Sequence, residues 1–342
     1  MAGAHVYIDQ MDPPTDVDEL CRCIIGDAYD NARELSGVPV ELKGQLRNTA
    51  SDYLDRCKEL ARDAKGEAEW KSALLEGVFR PLVKLFGQDM LATSASDKPW
   101  RTELKPRPPL LRDLLSFTPR LGATADISAM APTSFDLTGR FTSTERSETA
   151  TETSEITAVS SIEDSDLSNP LTTPKPDIVV GLARRSFSEV HQVLLGEWQD
   201  KAKLLSEPQL VQHGLHFPFL LVEAKGLATS GNMMGAENQA AVGGACAMNI
   251  LRALQDLEPD FPLARIIFSI STEGPLHQLG IHYIVGAQYH MTVHRAWRTT
   301  LDRDCTELVV ALARIIQWGG DQYRNEITAS LQRVVGHLQA SS

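Results

Sequence analysis

Residues 217–226 read Phe-Pro-Phe-Leu-Leu-Val-Glu-Ala-Lys-Gly, an apolar run that ends in two charged residues. The run predicts a strand that is buried on both faces of a mixed sheet. Glu223 and Lys225 are two residues apart, so in a strand their side chains point to the same face. A buried carboxylate or ammonium costs several kcal/mol unless it is paired or binds a metal. The charged end of this strand is therefore a candidate site of chemistry.

A second short apolar strand is predicted upstream, and Pro176-Asp177 leads into it with the sequence Ile-Val-Val-Gly at 178–181. Asp177 precedes Glu223 by 46 residues. The order Pro-Asp, then Glu-x-Lys, with each half on an apolar strand and a helix after the second, resembles the motif of the PD-(D/E)XK nuclease superfamily. The three motif residues are loosely spaced, so the context of strands and helix carries most of the resemblance.

The chain also resembles, more narrowly, the uncharacterised fungal PD-(D/E)XK nuclease-like proteins. In those proteins an E-x-x-W helix precedes the motif and a late strand ends near His-x-x-Trp. This chain has Glu67 three residues before Trp70, and His294 three residues before Trp297. The resemblance implies an α/β (α+β) fold of the restriction-endonuclease-like type, a mixed central sheet flanked by helices. Extra N-terminal and C-terminal helices are expected around it.

Hydrophobic periodicity and composition divide the chain into five predicted segments. Among them, residues 126–170 hold 17 Ser or Thr in 45 positions and few large apolar groups. Such a segment cannot bury enough surface to offset its ordering entropy, which predicts a disordered insertion. The segments are an N-terminal helical extension (1–66), a first core helix with a Pro-rich stretch (67–125), the insertion (126–170), the PD-(D/E)XK core (171–300) and C-terminal helices (301–342).

Within the core segment, the pattern predicts a small-residue helix over 232–257, because Ala and Gly recur where the helix must lie close to a sheet. Strands are predicted over 263–271, 277–285 and 288–295. The clean alternation of Leu279, Ile281, Tyr283 and Val285 favours an antiparallel meander that closes the sheet.

The resemblance implies roles for the motif residues. Asp177 and Glu223 would bind Mg²⁺ or Mn²⁺ through carboxylate oxygens, with the backbone carbonyl of Ala224 as a further ligand. The metal would lower the pKa of a bound water and stabilise charge on the scissile phosphate. Lys225 would orient that water and neutralise developing charge. No substitution in the motif argues against activity.

Two further site residues have competing interpretations. Glu67 shares a helical face with Trp70 and matches the acidic residue that a preceding helix often supplies in the superfamily. The plainer interpretation is that it complements the helix dipole in the first turn. Gln239 lies fourteen residues after Lys225, on the helix where some branches place a catalytic glutamine. Those branches often carry Tyr four residues later, whereas this chain has Gly243, and a surface glutamine is an equal alternative.

Three classes of function remain open from the sequence. The first is a metal-dependent nuclease that hydrolyses phosphodiester bonds, with DNA favoured over RNA as substrate. The second is a catalytically inactive nuclease-like fold that binds nucleic acid or protein. The third is purely structural, with Glu223 and Lys225 forming a salt bridge and Asp177 capping a turn.

Composition bounds these classes without choosing between them. The formal charge of −12 includes −7 from residues 126–170, so a local basic groove elsewhere is compatible with it. No run of about 20 apolar residues and no secretory leader pattern is present, which predicts an intracellular protein, nuclear or cytoplasmic. The five scattered cysteines predict reduced thiols, and Cys21-x-Cys23 favours helix packing over a metal site.

Overall fold

A mixed seven-stranded sheet forms the centre of the part of the chain that the structure describes. The computed structural model describes residues 5–9, 12–26, 40–87, 89–96, 98–106, 171–210, 214–226, 231–259 and 266–340. The strand order is β1-β7-β6-β5-β4-β3-β2. The strands are β1 (Val6–Asp9), β2 (Leu91–Ser94), β3 (Ile178–Ala183), β4 (Leu215–Lys225), β5 (Ile267–Glu273), β6 (Leu276–Val285) and β7 (Gln288–Arg298).

The sheet is mixed because two neighbouring pairs are parallel and four are antiparallel. β1 runs parallel to β7, and β4 runs parallel to β5. The pairs β2–β3, β3–β4, β5–β6 and β6–β7 are antiparallel. Helices flank this sheet, so the predicted fold class, a mixed central sheet flanked by helices, is confirmed, and β5, β6 and β7 form the predicted meander.

β4 lies inside the sheet, between β3 and β5, and its apolar residues are buried on both faces as the run predicts. Pro218 has no N–H to donate to the ladder, and the β3–β4 register breaks beside it. Phe217 adopts a left-handed φ of 44°, and its N–H turns away to the carbonyl of Ser206 at 2.9 Å. The irregularity is confined to the start of β4, so the ladder is regular where the charged residues lie.

Eight α-helices surround the sheet within the described ranges. Two of them continue through π-helical turns, at Leu75–Phe79 and at Gly319–Tyr323. Pro81 follows the first of these turns, where its missing N–H and its ring disfavour a regular helix. The helices are α1 (Thr15–Ile25), α2 (Val40–Arg62), α3 (Glu67–Leu74), α4 (Arg80–Phe86), α5 (Glu189–Asp200), α6 (Met233–Leu257), α7 (Asp302–Trp318) and α8 (Arg324–Ala340).

α6 lies close against the sheet, as its small residues predict. A Cβ atom at Gly244 would come within 2.0 Å of Nδ1 of His282 on β6. A Cβ at Gly243 would meet Cδ1 of Leu221 on β4 at 3.2 Å. The glycines reduce helix propensity but let the helix backbone approach the strands, and this close packing fixes where α6 begins relative to β4 and β5.

Two strands and the burial of the Pro-rich stretch are features of the fold that the sequence analysis does not predict. The strands β1 and β2 occur in the predicted helical extension and in the segment of the first core helix, where no strand was predicted. Trp100 and Leu104 of the Pro-rich stretch are buried in the core. The predicted disordered insertion at 126–170 lies outside the described residues. None of the described helices combines the length and apolar character that crossing a membrane requires.

Candidate functional site

Asp177 is held at the start of β3 by two hydrogen bonds to β4. Its N–H donates to the carbonyl of Val222 at 2.9 Å, and its Oδ2 accepts from the N–H of Ala224 at 2.8 Å. The second bond links the Asp side chain directly to the middle residue of the Glu-x-Lys motif. The two halves of the motif are therefore adjacent in space, as the sequence predicts.

Glu223 is the buried acid of the site. Only 3% of its surface is exposed. Burial, followed by the nearby carboxylates of Asp177 and Glu67, raises the pKa of Glu223 well above its usual range, against the opposing effect of Lys225 and Lys71. Glu223 thus holds its proton more strongly than a free glutamic acid does.

Lys225 is largely buried and makes an ion pair with Glu67. Its Nζ lies 3.5 Å from Oε2 of Glu67, the first residue of α3. The sequence allows two interpretations of Glu67, as an acid of the site or as a residue that complements the dipole of α3. The structure brings it to the motif, and it also lies in the first turn of its helix, so both descriptions of its position hold. A site role for Glu67 remains a prediction.

Lys71 is a residue of the site that the sequence analysis missed. Its Nζ lies 3.1 Å from Oδ1 of Asp177, and both side chains are mostly buried. Lys71 follows Glu67 by four residues, so the two share one face of α3. That spacing was the available signal. We refer to Glu67, Lys71, Asp177, Glu223 and Lys225 together as the acid–lysine cluster.

The backbone brings α3 and β4 together without an intervening side chain. A Cβ atom at Gly226 would lie 2.2 Å from the N atom of Glu67 and 2.4 Å from the carbonyl carbon of Gly66. On the other side of Lys225, a Cβ at Gly231 would lie 2.5 Å from its Cδ. These close approaches confine the lysine side chain between α3 and the chain that leads into α6.

Gln239 is not part of the acid–lysine cluster. It lies on α6, its side chain is exposed, and it takes no part in the ion pairs described for the five cluster residues. The carboxylate that reaches the start of α6 is instead that of Glu273, whose Oε2 accepts from the N–H of Met233 at 2.8 Å. A catalytic role for Gln239 stays a prediction, without a contact to support it.

The oxygen donors of the cluster suit a hard divalent cation in their chemistry. The carboxylates are close enough to raise the pKa of Glu223, which is the effect that a bound cation would relieve. Within the described ranges, however, no three Asp, Glu, His or Cys side chains are grouped tightly enough to hold a metal ion. Asp177 is paired with Lys71 in this arrangement, so a cation would have to replace that ammonium.

A separate cavity of about 210 Å³ lies beside the opposite end of β4. Its polar lining groups are engaged with one another. The carboxamide of Gln199 bonds the backbone N–H and carbonyl of Glu207, and Arg184 donates to Gln192 at 3.0 Å. Burial lowers the pKa of His216, beside this cavity, to about 4. These contacts stabilise the start of β4 and leave few groups for a ligand.

Comparison with known proteins places the chain in a family. The family model described as "Domain of unknown function (DUF7924)" matches residues 133–331, more than half of the chain. The chain belongs to this family. The DUF7924 match includes Asp177, Glu223 and Lys225, whereas Glu67 and Lys71 precede it. No curated protein and no solved structure matches the chain.

Proposed function

We propose that this DUF7924 chain is a metal-dependent nuclease that hydrolyses phosphodiester bonds, with DNA favoured as substrate. One observation carries the proposal: the acid–lysine cluster joins Asp177, Glu223 and Lys225 at the ends of two paired strands. Burial and neighbouring carboxylates raise the pKa of Glu223 there. Perturbed carboxyl groups beside a confined lysine are typical of functional sites, although structural ion pairs also perturb pKa values.

Each residue has a defined part in such a reaction. The Ala224 N–H fixes the Asp177 carboxylate, and Glu67 holds the Lys225 ammonium at the end of β4. Lys225 would neutralise the negative charge that develops on a phosphate oxygen and would orient the attacking water. Glu223, with its raised pKa, would serve as a metal ligand only in its ionised form.

Mg²⁺ or Mn²⁺ is the cofactor that we propose. Asp177 and Glu223 would hold it, with the Ala224 carbonyl as a further ligand. A bound divalent cation supplies Lewis acidity and a water of lowered pKa. The Lys71 ammonium opposes metal binding, because it competes with the metal ion for the Asp177 carboxylate and repels the positive charge of that ion.

A second candidate is a catalytically inactive nuclease-like fold that serves as a nucleic-acid or protein binding module. The hydrogen bonding of Asp177 favours it, because one carboxylate oxygen pairs with Lys71 and the other with the Ala224 N–H. A cluster that is already neutralised by its own lysines needs no metal. The difference between the two candidates is therefore the affinity of the cluster for a cation.

The test combines metal binding with cleavage. Labelled single-stranded and double-stranded DNA and RNA are incubated with the full chain in Mg²⁺, Mn²⁺ or EDTA, and Mn²⁺ affinity is measured by calorimetry. We expect cleavage in metal that Asp177→Asn and Lys225→Met each reduce at least about a hundredfold, which corresponds to a loss of about 2.7 kcal/mol or more of transition-state stabilisation. We expect Lys71→Met to tighten Mn²⁺ binding about tenfold or more, because it removes a positive charge beside a ligand.

The matched control for these substitutions is Glu197→Gln. Glu197 is an exposed carboxylate in the last turn of α5 that pairs with Lys201, just after the helix ends and outside the acid–lysine cluster. The Glu197→Gln protein should cleave the labelled strands and bind Mn²⁺ as the unmodified chain does. Absence of cleavage on every substrate, together with Mn²⁺ binding that Asp177→Asn and Lys71→Met leave unchanged, would overturn the nuclease, and binding of the same labelled strands without cleavage would then support the binding module.

The cellular compartment is also a proposal. All five cysteines are free thiols, four of them buried. Burial raises the pKa of Cys21 to about 12 and of Cys57 to about 11, so these thiols stay protonated and unreactive. The free thiols support a proposed location in the nucleus or cytoplasm, where thiols stay reduced and nucleic acid is available.

A further inference from the structure

A pocket of about 390 Å³ opens beside the first turn of α6, at the ends of β6 and β7. We call it the α6 pocket. Its volume falls within the range of small-ligand sites. The residues that matter for its chemistry are Met233, Leu276, Gln278, Trp297 and Arg298.

Strand register connects the α6 pocket to the acid–lysine cluster. Register partners share one face of a sheet, and neighbouring strands lie about 4.8 Å apart. Leu276 is thus about 10 Å from Lys225 along the sheet, and Arg298 is about 14 Å away. Two rows of register partners cross β4, β5, β6 and β7 and are neighbours on the same face of the sheet. One row holds Lys225, Glu273, Leu276 and Arg298, and the other holds Glu223, Ser271, Gln278 and Ala296.

The pocket combines apolar contacts with one cation. Leu276 is 44% exposed although it is a large aliphatic residue, and Met233 and the buried Trp297 lie beside it. Arg298 is exposed, and its Nε donates to Oγ1 of Thr300 at 3.3 Å. Its charge has no carboxylate partner among the ion pairs of the described ranges. An apolar floor with a cation at its rim suits a flat ring attached to a phosphate.

Gln278 gives the pocket a polar group that lacks a partner. Its Oε1 atom is buried and accepts no hydrogen bond in the described part of the chain. The same holds for Oγ of Ser271, its register partner on β5. A buried acceptor without a donor costs about 1–3 kcal/mol, so a ligand that donates to it would recover that free energy. The exocyclic amino groups of adenine, cytosine and guanine are such donors.

We propose that the α6 pocket binds the nucleobase of a nucleotide near the phosphate held at the acid–lysine cluster, with a preference for bases that carry an exocyclic amino group over thymine and uracil. This inference rests on the proposed nuclease function, because the cluster fixes where the phosphate lies. The base stacks on Leu276 and Met233 and donates its amino group to Gln278. Arg298 neutralises a phosphate of the same strand. A base can reach the pocket only if it is unpaired, so the substrate is single-stranded there.

The test measures binding and cleavage separately with labelled (dA)12, (dC)12 and (dT)12 and their RNA counterparts. Binding is followed by fluorescence anisotropy in EDTA with the Asp177→Asn chain. Gln278→Leu removes the acceptor, and an apolar replacement of an unpartnered buried group is expected to fold normally. Leu276→Glu adds a negative charge to the pocket floor. Val285→Glu is its matched control, because Val285 is 47% exposed at the other end of the same strand.

We expect (dA)12 and (dC)12 to bind about fivefold more tightly than (dT)12, and Gln278→Leu to abolish that difference. Leu276→Glu should weaken all strands about tenfold, and Val285→Glu should change none of them. Equal affinity for every base, or a Leu276→Glu effect that Val285→Glu reproduces, would overturn the pocket assignment.

The cleavage arm separates the two proposals. Metal-dependent cutting that Asp177→Asn abolishes, but that Gln278→Leu and Leu276→Glu leave unchanged on all strands, overturns the nucleobase site and leaves the nuclease intact. Base-dependent binding that Gln278→Leu removes, without cutting of any strand in either metal, supports the pocket on an inactive binding module.

Discussion

At the scale of single residues, burial makes Glu223 an acid that is costly to ionise. It is buried beside Asp177 and Glu67, and its pKa lies well above that of a free glutamic acid. A group whose folded pKa is raised binds its proton more tightly in the folded state. The stability of the protein therefore falls, through this group, as pH rises above the unfolded value of about 4.3.

Glu223→Gln should raise the thermal stability of the metal-free protein at pH 8, because the amide cannot ionise in the buried site. The gain should be a few degrees, with about 2–4 °C for each kcal/mol in a domain of 150–250 residues. It should shrink as pH falls towards 4.5, where the carboxyl is protonated in both states. Calorimetric melting in EDTA from pH 4.5 to 8 measures this difference.

Glu197→Gln is the control for this substitution, because the pKa of Glu197 is shifted in the opposite direction. Glu197 is exposed, and its hydrogen bond and ion pair with Lys201 lower its pKa. Glu197→Gln should leave the melting temperature unchanged or slightly lower at pH 8. A Glu223→Gln protein that melts below the unmodified chain at pH 8 would contradict the account of Glu223 as a strained buried acid.

At the scale of elements, the site depends on how α3 docks on the end of β4. One ion pair joins α3 to β4 through Glu67, and a second joins α3 to the start of β3 through Lys71, one helical turn along α3. Asp177 and Lys225 supply the partners from the strand side. The contact of Gly226 with the backbone at 66–67 sets the distance between helix and strand. Any shift of α3 relative to β4 therefore also changes the distances between the charged groups of the site.

Gly226→Ala should destabilise the protein by about 1–3 kcal/mol, because its Cβ would overlap backbone atoms that cannot move aside as a side chain can. Urea unfolding measures the effect. Gly44→Ala on α2 is the matched control, since no atom lies within 4 Å of its Cβ position. That substitution should stabilise by about 0.5–1 kcal/mol through helix propensity alone. Equal effects of the two would show that α3 and β4 are not in close contact.

At the scale of the whole molecule, neutral buried histidines control stability in acid. Burial lowers the pKa of His216 and of His277 to about 4, and of His282 to about 3. His277 bonds the hydroxyl of Tyr53 on α2, and His282 bonds Oγ of Ser269. These bonds tie helices and strands of the core together through uncharged rings.

Acid should therefore destabilise the fold over a defined window. The unfolded chain takes up protons on these histidines near pH 6.5, whereas the folded protein does so only near pH 4 or below. Stability should fall as pH drops from about 6.5 to about 4, with a loss on the order of 10 °C in melting temperature. His216→Gln should make that loss smaller. Because Glu223 acts in the opposite direction over this range, the check uses the Glu223→Gln protein, and melting temperatures of that protein that stay flat from pH 7 to 4.5 would contradict neutral burial.

Much of this arrangement could be predicted from residues close together in the chain. The apolar run before Glu223 predicts β4, and its period of two places Glu223 and Lys225 on one face. Pro176-Asp177 before a second apolar run predicts the neighbouring strand. The small residues of α6 predict its close approach to the sheet. These features follow from burial and periodicity, which a local pattern encodes directly.

Other features arise only when distant segments meet. The pairing of Lys71 with Asp177 joins residues 106 positions apart, and the register of β4 to β7 creates the α6 pocket from segments that are separately unremarkable in sequence. β1 is too short and isolated to be recognised before β7 is there to pair with it. The sequence by itself determined the strands β3 to β7 and the motif at the ends of β3 and β4. Tertiary structure alone decided which charges pair and which acceptor is left unpaired, because those depend on register and docking distance.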